Sequence, residues 1–482
     1  MSIAKNFFYS SLLSASSYIF PLITFPYVAR ILGVEGIGIC EYASSIISYL
    51  GIIASMGINI VGIREIAAAK SNKEKLDVTF SSLFVLTLLF TLLAVSILLV
   101  FVFFIPSFKD YQLLLTIGMI SLISSSLQIN WFFAGIEDFA FITKRALVIQ
   151  CIYVALVFLF VRTKDDYVAY FTLSAVTGVL TAIINQIYAH KFVAFKLVGI
   201  NLKPYIRPYV ILGIYVMITS MYTTLSTTIL GFITTPKDVG YYSTAMIIFG
   251  IVLSLYTAYS NVIMPRVSSY AANRQEENFN SLVKNSIDIL VMFSIPIILF
   301  CFIFTPEIIY ILSGTGYEGA ILPMRTILPV LIIVGLEQVY IMQVLMPRKR
   351  DKEIFINSCF GAIVGVGINI LLTPFLASEG TALSMCFSHV AVFLSALCFV
   401  NRLFKIRLPL MKVVLKSFLY IPLTGVFHVI ILFVDMPIFR LIIGCLALLI
   451  YVYIDNVFIS KERLFIDSVE KVKFLLCRVF PK

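Results

Sequence analysis

Charge is scarce in this chain. Asp, Glu, Lys and Arg make up 13% of the 482 residues, against 60% hydrophobic. Water-soluble domains carry about a quarter charged residues, so a soluble fold is excluded. The eight cysteines (Cys40, Cys151, Cys301, Cys359, Cys386, Cys398, Cys445 and Cys477) form no CxxC pair and no metal spacing. Most lie inside apolar runs, so disulfides and zinc are not expected and no cofactor is called for. No GxxxxGK[ST] phosphate loop occurs, which argues against a nucleotide-driven pump. No gap between apolar runs is long enough to fold as a catalytic domain. The single tryptophan, Trp131, stands near the end of a run, an ordinary interface position.

The sequence is rich in apolar runs near the 20 residues that a helix needs to cross a bilayer. Fourteen are expected: 8–32, 36–60, 78–105, 111–134, 145–162, 167–189, 209–234, 240–264, 286–312, 321–346, 354–376, 380–402, 413–434 and 437–457. The fourteenth carries Arg440 and Asp455 inside it or at its edge. The runs are continuous rather than alternating, which excludes a β-barrel. The fold class is therefore an all-α integral membrane protein.

Basic residues are nearly absent from every second gap. With the N-terminus placed in the cytoplasm, 29 of the 36 Lys and Arg fall in cytoplasmic segments. That bias orients the chain with both termini inside. The net charge of +11 resolves into about +15 inside, −2 outside and −2 from two acids within the runs. The excess faces anionic headgroups, and nucleic acid is not needed to explain it. The long charge-poor stretch after Lys5 exceeds a signal-peptide core, so it is expected to remain as a span.

An offset of 202 residues overlays the second run on the eighth: Gly38 on Gly240, Ala43 on Ala245, Ile46 on Ile248, Asn59 on Asn261 and Arg64 on Arg266. Hydroxyl-rich stretches precede both, with Ser10, Ser11, Ser14, Ser16 and Ser17 in the first run and Thr223, Thr224, Ser226, Thr227 and Thr228 in the seventh. Six runs separate the copies, so the halves share one topology about an axis along the membrane normal. The expected organisation is a lobe over 1–203, a second over 204–408, and two further spans with a basic tail over 409–482. Two lobes around a midplane cavity suit alternating access.

Several stretches resemble the polysaccharide-transporter branch of the multidrug/oligosaccharidyl-lipid/polysaccharide exporters, and within it the O-antigen and capsule-type (Wzx-like) flippases. They are Pro21-Leu-Ile-Thr-Phe-Pro26-Tyr-Val-Ala-Arg30-Ile-Leu-Gly33-Val-Glu-Gly36-Ile-Gly38, Gly57-Ile-Asn59, Gly62-Ile-Arg64-Glu65, Val239-Gly240-Tyr-Tyr-Ser243 and Met264-Pro265-Arg266. The likeness is strongest over the first 80 residues and extends to about residue 405. It implies export of an undecaprenyl-pyrophosphate-linked glycan to the outer leaflet of the bacterial cytoplasmic membrane. It also implies alternating access, coupled to an ion gradient or the membrane potential. The implied partners are the lipid-linked oligosaccharide, membrane lipids, and a glycan polymerase with its export machinery. A monomer is expected.

Charged and polar groups inside the runs each carry a functional and a structural reading. Glu337, mid-way along the tenth run, could carry a proton or cation, or pair with a polar neighbour. Glu41, near the outer end of the second, could couple an ion or snorkel. His389, deep in the twelfth, is a protonation site or a packed histidine. Pro21 and Pro26 bend the first span, as a gate or as static kinks. Arg30 and Arg325, near outer ends, could meet the diphosphate or anchor at the interface. Arg64 and Arg266 could clamp an entering diphosphate or merely set topology. Asn59 and Asn261 could bind sugar hydroxyls or join helices, and Gly361-Ala-Ile-Val-Gly365 allows close helix packing.

A drug-cation antiporter of the related efflux type is the alternative within transport, and it would favour an acidic cavity over a cationic one. A membrane glycan polymerase or ligase would need a sizeable outer loop, which is absent.

Overall fold

The computed structural model describes residues 3–196, 199–404, 410–460, 462 and 465. The basic tail beyond Phe465, with Cys477, lies outside the described residues. Among those described there is helix and no strand, as required where every backbone N–H and C=O must find a partner without water.

Ten helices are long and apolar enough to cross a membrane, and two bent pairs pass the same test as single spans. Two of the ten are folded double. The helix Ile3–Ser55 has 53 residues and breaks at Gly33, whose φ is 68°. Unbroken it would reach about 80 Å, more than twice the ~30 Å hydrocarbon core. The helix Asp351–Phe404 breaks at Ala377. Past that break the chain doubles back, because Ser384 and Ser388 donate to the carbonyls of Gly365 and Gly361 at 2.6 Å each. Splitting both turns the twelve spans into fourteen, in the order expected.

The spans are less regular than apolar runs suggest. The seventh starts at Lys203 and consists of Lys203–Ser220 and Thr224–Ile233, meeting at 54°. Hydroxyls of Thr219, Ser220 and Thr223 bond the carbonyls of Val216, Met217 and Ser220 there, a local competition that bends helices. The tenth is bent by 44° near Pro329 and ends in a π-helical turn, Val339–Leu345. The connections on the basic face are largely helical: Ile58–Ala69 follows the second span, and the eighth runs on to Ala272.

The segment joining the sixth span to the seventh is tied to the third, Lys73–Phe104. Asp77 accepts from the Ala194 N–H at 3.0 Å and pairs with Lys73 and Lys196 at 3.2 and 3.6 Å. The Lys196 and Asn201 N–H groups donate to Ser81 and Ser82.

The awkward charges of the last hairpin are paired. Lys416 donates to Asp455 at 2.8 Å and Tyr420 to the same carboxylate at 3.0 Å, both ions being almost fully buried. Arg440 bonds Glu307 at 2.9 Å, fastening the fourteenth span to the short helix Thr305–Ser313.

Candidate functional site: a cavity between the halves

The second span (34–55) and the eighth (Pro236–Ala272) form the main contact between the halves, and it is tightest at the face opposite the basic one. A methyl on Gly38 would lie 1.7 Å from the Pro236 carbonyl oxygen, and one on Gly240 2.2 Å from that of Val34. The two repeat-related glycines thus meet each other's helix, and only hydrogen fits at either position. Beside them the Tyr317 hydroxyl donates to the Ala29 carbonyl at 3.1 Å.

Below this contact lies a cavity of ≈ 350 Å³. Glu41, Ser44, Ser45 and Ser48 line it from the first half, and Thr223, Thr224, Thr227, Ser243, Met246 and Ile247 from the second. Thr228 donates to Ser45 across the boundary at 2.9 Å. Glu41 is the one charged residue in this lining; the other polar groups are hydroxyls, which suit sugar or a partly dehydrated cation. The bend in the seventh span supplies Thr223 and Thr224, where broken helices commonly form transporter sites.

The arginines singled out by sequence separate into two groups. Arg30 donates to the carbonyls of Pro26, at 2.8 Å, and Ile311. The second bond reaches the last turn of Thr305–Ser313, where a cation is favoured by the helix dipole. Arg325 donates to the Phe302 carbonyl at 3.2 Å, with its guanidinium 5.5 Å from that ring. Arg64 and Arg266 are exposed on the basic face, and Arg64 pairs only with the adjacent Glu65 at 2.9 Å. Asn59 and Asn261 are exposed as well, and Arg266, Asn59 and Asn261 hydrogen-bond to nothing among the described residues. Pro21 and Pro26 lie within a continuous first-span helix.

The structure brings together two residues that sequence treated singly. Glu337 and His389, both buried, meet at 2.9 Å within the second half. Sequence reasoning missed a second polar cluster, half-buried, in the first half. Arg145 donates to Asn130 and Asn185, closing the gap where the fourth span breaks at Ile129, whose φ is 41°. The run Gln128-Ile-Asn130 at a span end was its one visible signal.

Comparison with known proteins places this architecture. Residues 3–271, more than half of the chain, match the family described as "Polysaccharide biosynthesis protein". The chain belongs to that family. Among curated proteins it is 25% identical over 406 residues to a "Putative O-antigen transporter" of Escherichia coli K12, covering 83% of this chain and 97% of that one. It is 23% identical over 401 residues to the protein of the same description in Shigella dysenteriae, covering 81% and 98%. The fold is similar to the lipid II flippase MurJ in an inward closed conformation, with TM-score 0.72, 15% identity, and 93% and 99% of the two chains covered. It is also similar to an inward-facing MATE family multidrug transporter of the MOP superfamily, with TM-score 0.60, 16% identity, and 81% and 98% covered. This member of the polysaccharide biosynthesis family is thus a multi-pass membrane protein with a MurJ- and MATE-like transporter fold, and the proteins it resembles are described as transporters and a flippase.

Proposed function

We propose that the protein carries an undecaprenyl-pyrophosphate-linked oligosaccharide, an O-antigen, capsule or exopolysaccharide repeat unit, from the cytoplasmic to the outer leaflet of the bacterial cytoplasmic membrane. It works by alternating access, with both termini in the cytoplasm and the basic face inward. One observation carries the reading: a hydroxyl-lined cavity between repeat-related helices is shut at one end, while Arg64, Arg266, Asn59 and Asn261 are exposed on the basic face. Guanidinium groups at the open mouth suit a diphosphate entering from the inner leaflet, and the hydroxyls above suit its sugars. Arg30 works as a latch on the shut side rather than as a free ligand. A glycan polymerase and export machinery would take the product onward, and the carrier acts as a monomer.

The test is complementation of a flippase-deleted strain, scored by whether lipid-linked sugar reaches the outer face. Rescue is expected, together with at least about a tenfold loss in the Arg64→Ala, Arg266→Ala double variant at unchanged protein level, the size of one lost charge-assisted contact. Failure to rescue, with the protein present in the membrane, rejects the substrate assignment. The second reading, a drug-cation antiporter, draws on Glu41 as the cavity's one charged lining residue. Saturable binding of a cationic drug, lost in Glu41→Gln, would favour it.

A further inference from the structure

Glu337 in the tenth span and His389 in the twelfth are 8% and 6% exposed, with Oε2 and Nδ1 2.9 Å apart. No Lys or Arg among the described residues pairs with either. The phenols of Tyr215 and Tyr222, on the seventh span, lie in the field of Glu337, and the Asp351 carboxylate acts on Tyr215 as well. The ninth span meets this region through apolar Leu290, packed on Gly335. A carboxylate hydrogen-bonded to a neutral imidazole leaves one uncompensated negative charge at membrane depth, which is costly. One added proton makes the pair net neutral.

The pair also touches the bend of the seventh span. The Tyr222 ring meets the His389 ring edge-on at 5.6 Å. Tyr222 lies in the break between Ser220 and Thr224 where the seventh span bends by 54°. Gly361 and Gly365 admit it: methyls there would lie 3.2 and 2.8 Å from Tyr222 carbons. The next residues, Thr223, Thr224 and Thr227, line the cavity, and Thr228 bonds Ser45 of the other half. One short stretch therefore contacts the ionisable pair at its start and the opposite half at its end.

We propose that Glu337 and His389 form the proton-coupling site of this carrier and that its charge is read by the bend at Tyr222. The anionic pair takes one proton from water at the imidazole, becoming carboxylate and imidazolium, with the Nδ1–H still donating to Oε2; release returns the same proton. Loading changes the charge beside the bend by one, and so changes the relative stability of its bent and straighter forms. This deepens the transport reading and rests on it.

The test uses the full-length protein in lipid nanodiscs, native cysteines exchanged for serine. Spin labels replace the exposed Glu35 and Lys237, which flank the Gly38–Gly240 contact. Across about pH 5 to 8 the ratio of near to far label populations is expected to change by about tenfold or more. Glu337→Gln should abolish the change while keeping the wild-type melting temperature; where it does not fold, His389→Gln gives the same reading. Tyr222→Ala should remove the change and Tyr222→Phe retain it. A flat wild-type response, or a folded Glu337→Gln or His389→Gln protein that still follows the wild-type curve, overturns the proposal. Failed complementation would remove the substrate assignment yet leave this pH response intact, so the two failures are distinguishable.

Discussion

The second and eighth spans behave differently at their two ends. At one end Gly38 and Gly240 let each helix touch the other's backbone. At the other, the same 202-residue offset relates Asn59 to Asn261 and Arg64 to Arg266, all exposed. The repeated sequence thus gives close backbone contact at one end and exposed polar residues at the other, where Asn59 and Arg64 stand on the helix that follows the second span. Small residues close an interface through van der Waals contact. The exposed end holds the residues suited to an anionic ligand, and the shut end holds those suited to contact alone.

That contrast can be broken by filling the closed end. Alanine at both Gly38 and Gly240 gains about 1 kcal/mol of helix propensity per site. Overpacking two backbone contacts costs more, about 1–3 kcal/mol each and more where a carbonyl cannot move. The closed contact is therefore expected to weaken by up to about 4 kcal/mol, seen as lengthened label distances between residues 35 and 237. Unchanged distances would show that the glycines do not hold the shut state.

On the basic face, Asp77→Asn should cost about 2 kcal/mol, the size of hydrogen bonds to a buried charge. The readout is loss of hydrogen-exchange protection at the Ala194 and Lys196 amides.

Smaller effects sharpen the comparison. Thr228→Val removes one hydrogen bond between the halves and should weaken the closed contact by about 1 kcal/mol. Arg30→Ala, which loses an exposed contact at a helix end, should cost about 0.5 kcal/mol. If Arg30→Ala opened the far face as much as the paired alanines, the latch rather than the glycines would be the seal.

Apolar runs and the alternation of basic gaps were enough to read the spans and the membrane fold, since the bilayer dictates helix length and backbone satisfaction. The glycine pair was visible as a repeat match, but not as a contact: an offset relates positions without saying which face each presents. Glu337 and His389 each stood out as costly within an apolar run, yet their meeting joins residues 52 apart in sequence. Arg440 and Asp455 stood out in the fourteenth run for the same reason, and Glu307 and Lys416 supply their counter-ions. Charge inside a hydrophobic run signals that a partner exists; only the packing says where it is.

The tether on the third span fixes where the halves can pivot. Ser82 still holds the Asn201 amide, and the seventh span begins at Lys203, so almost no slack chain separates the two halves. With the fulcrum at the basic surface, the ~30 Å hydrocarbon depth becomes a lever arm. A swing of about 15°, comparable to known subunit rotations, would part the far ends by about 8 Å while barely disturbing the joint. In the proposed transport cycle the far ends could therefore part without stretching the link between the halves.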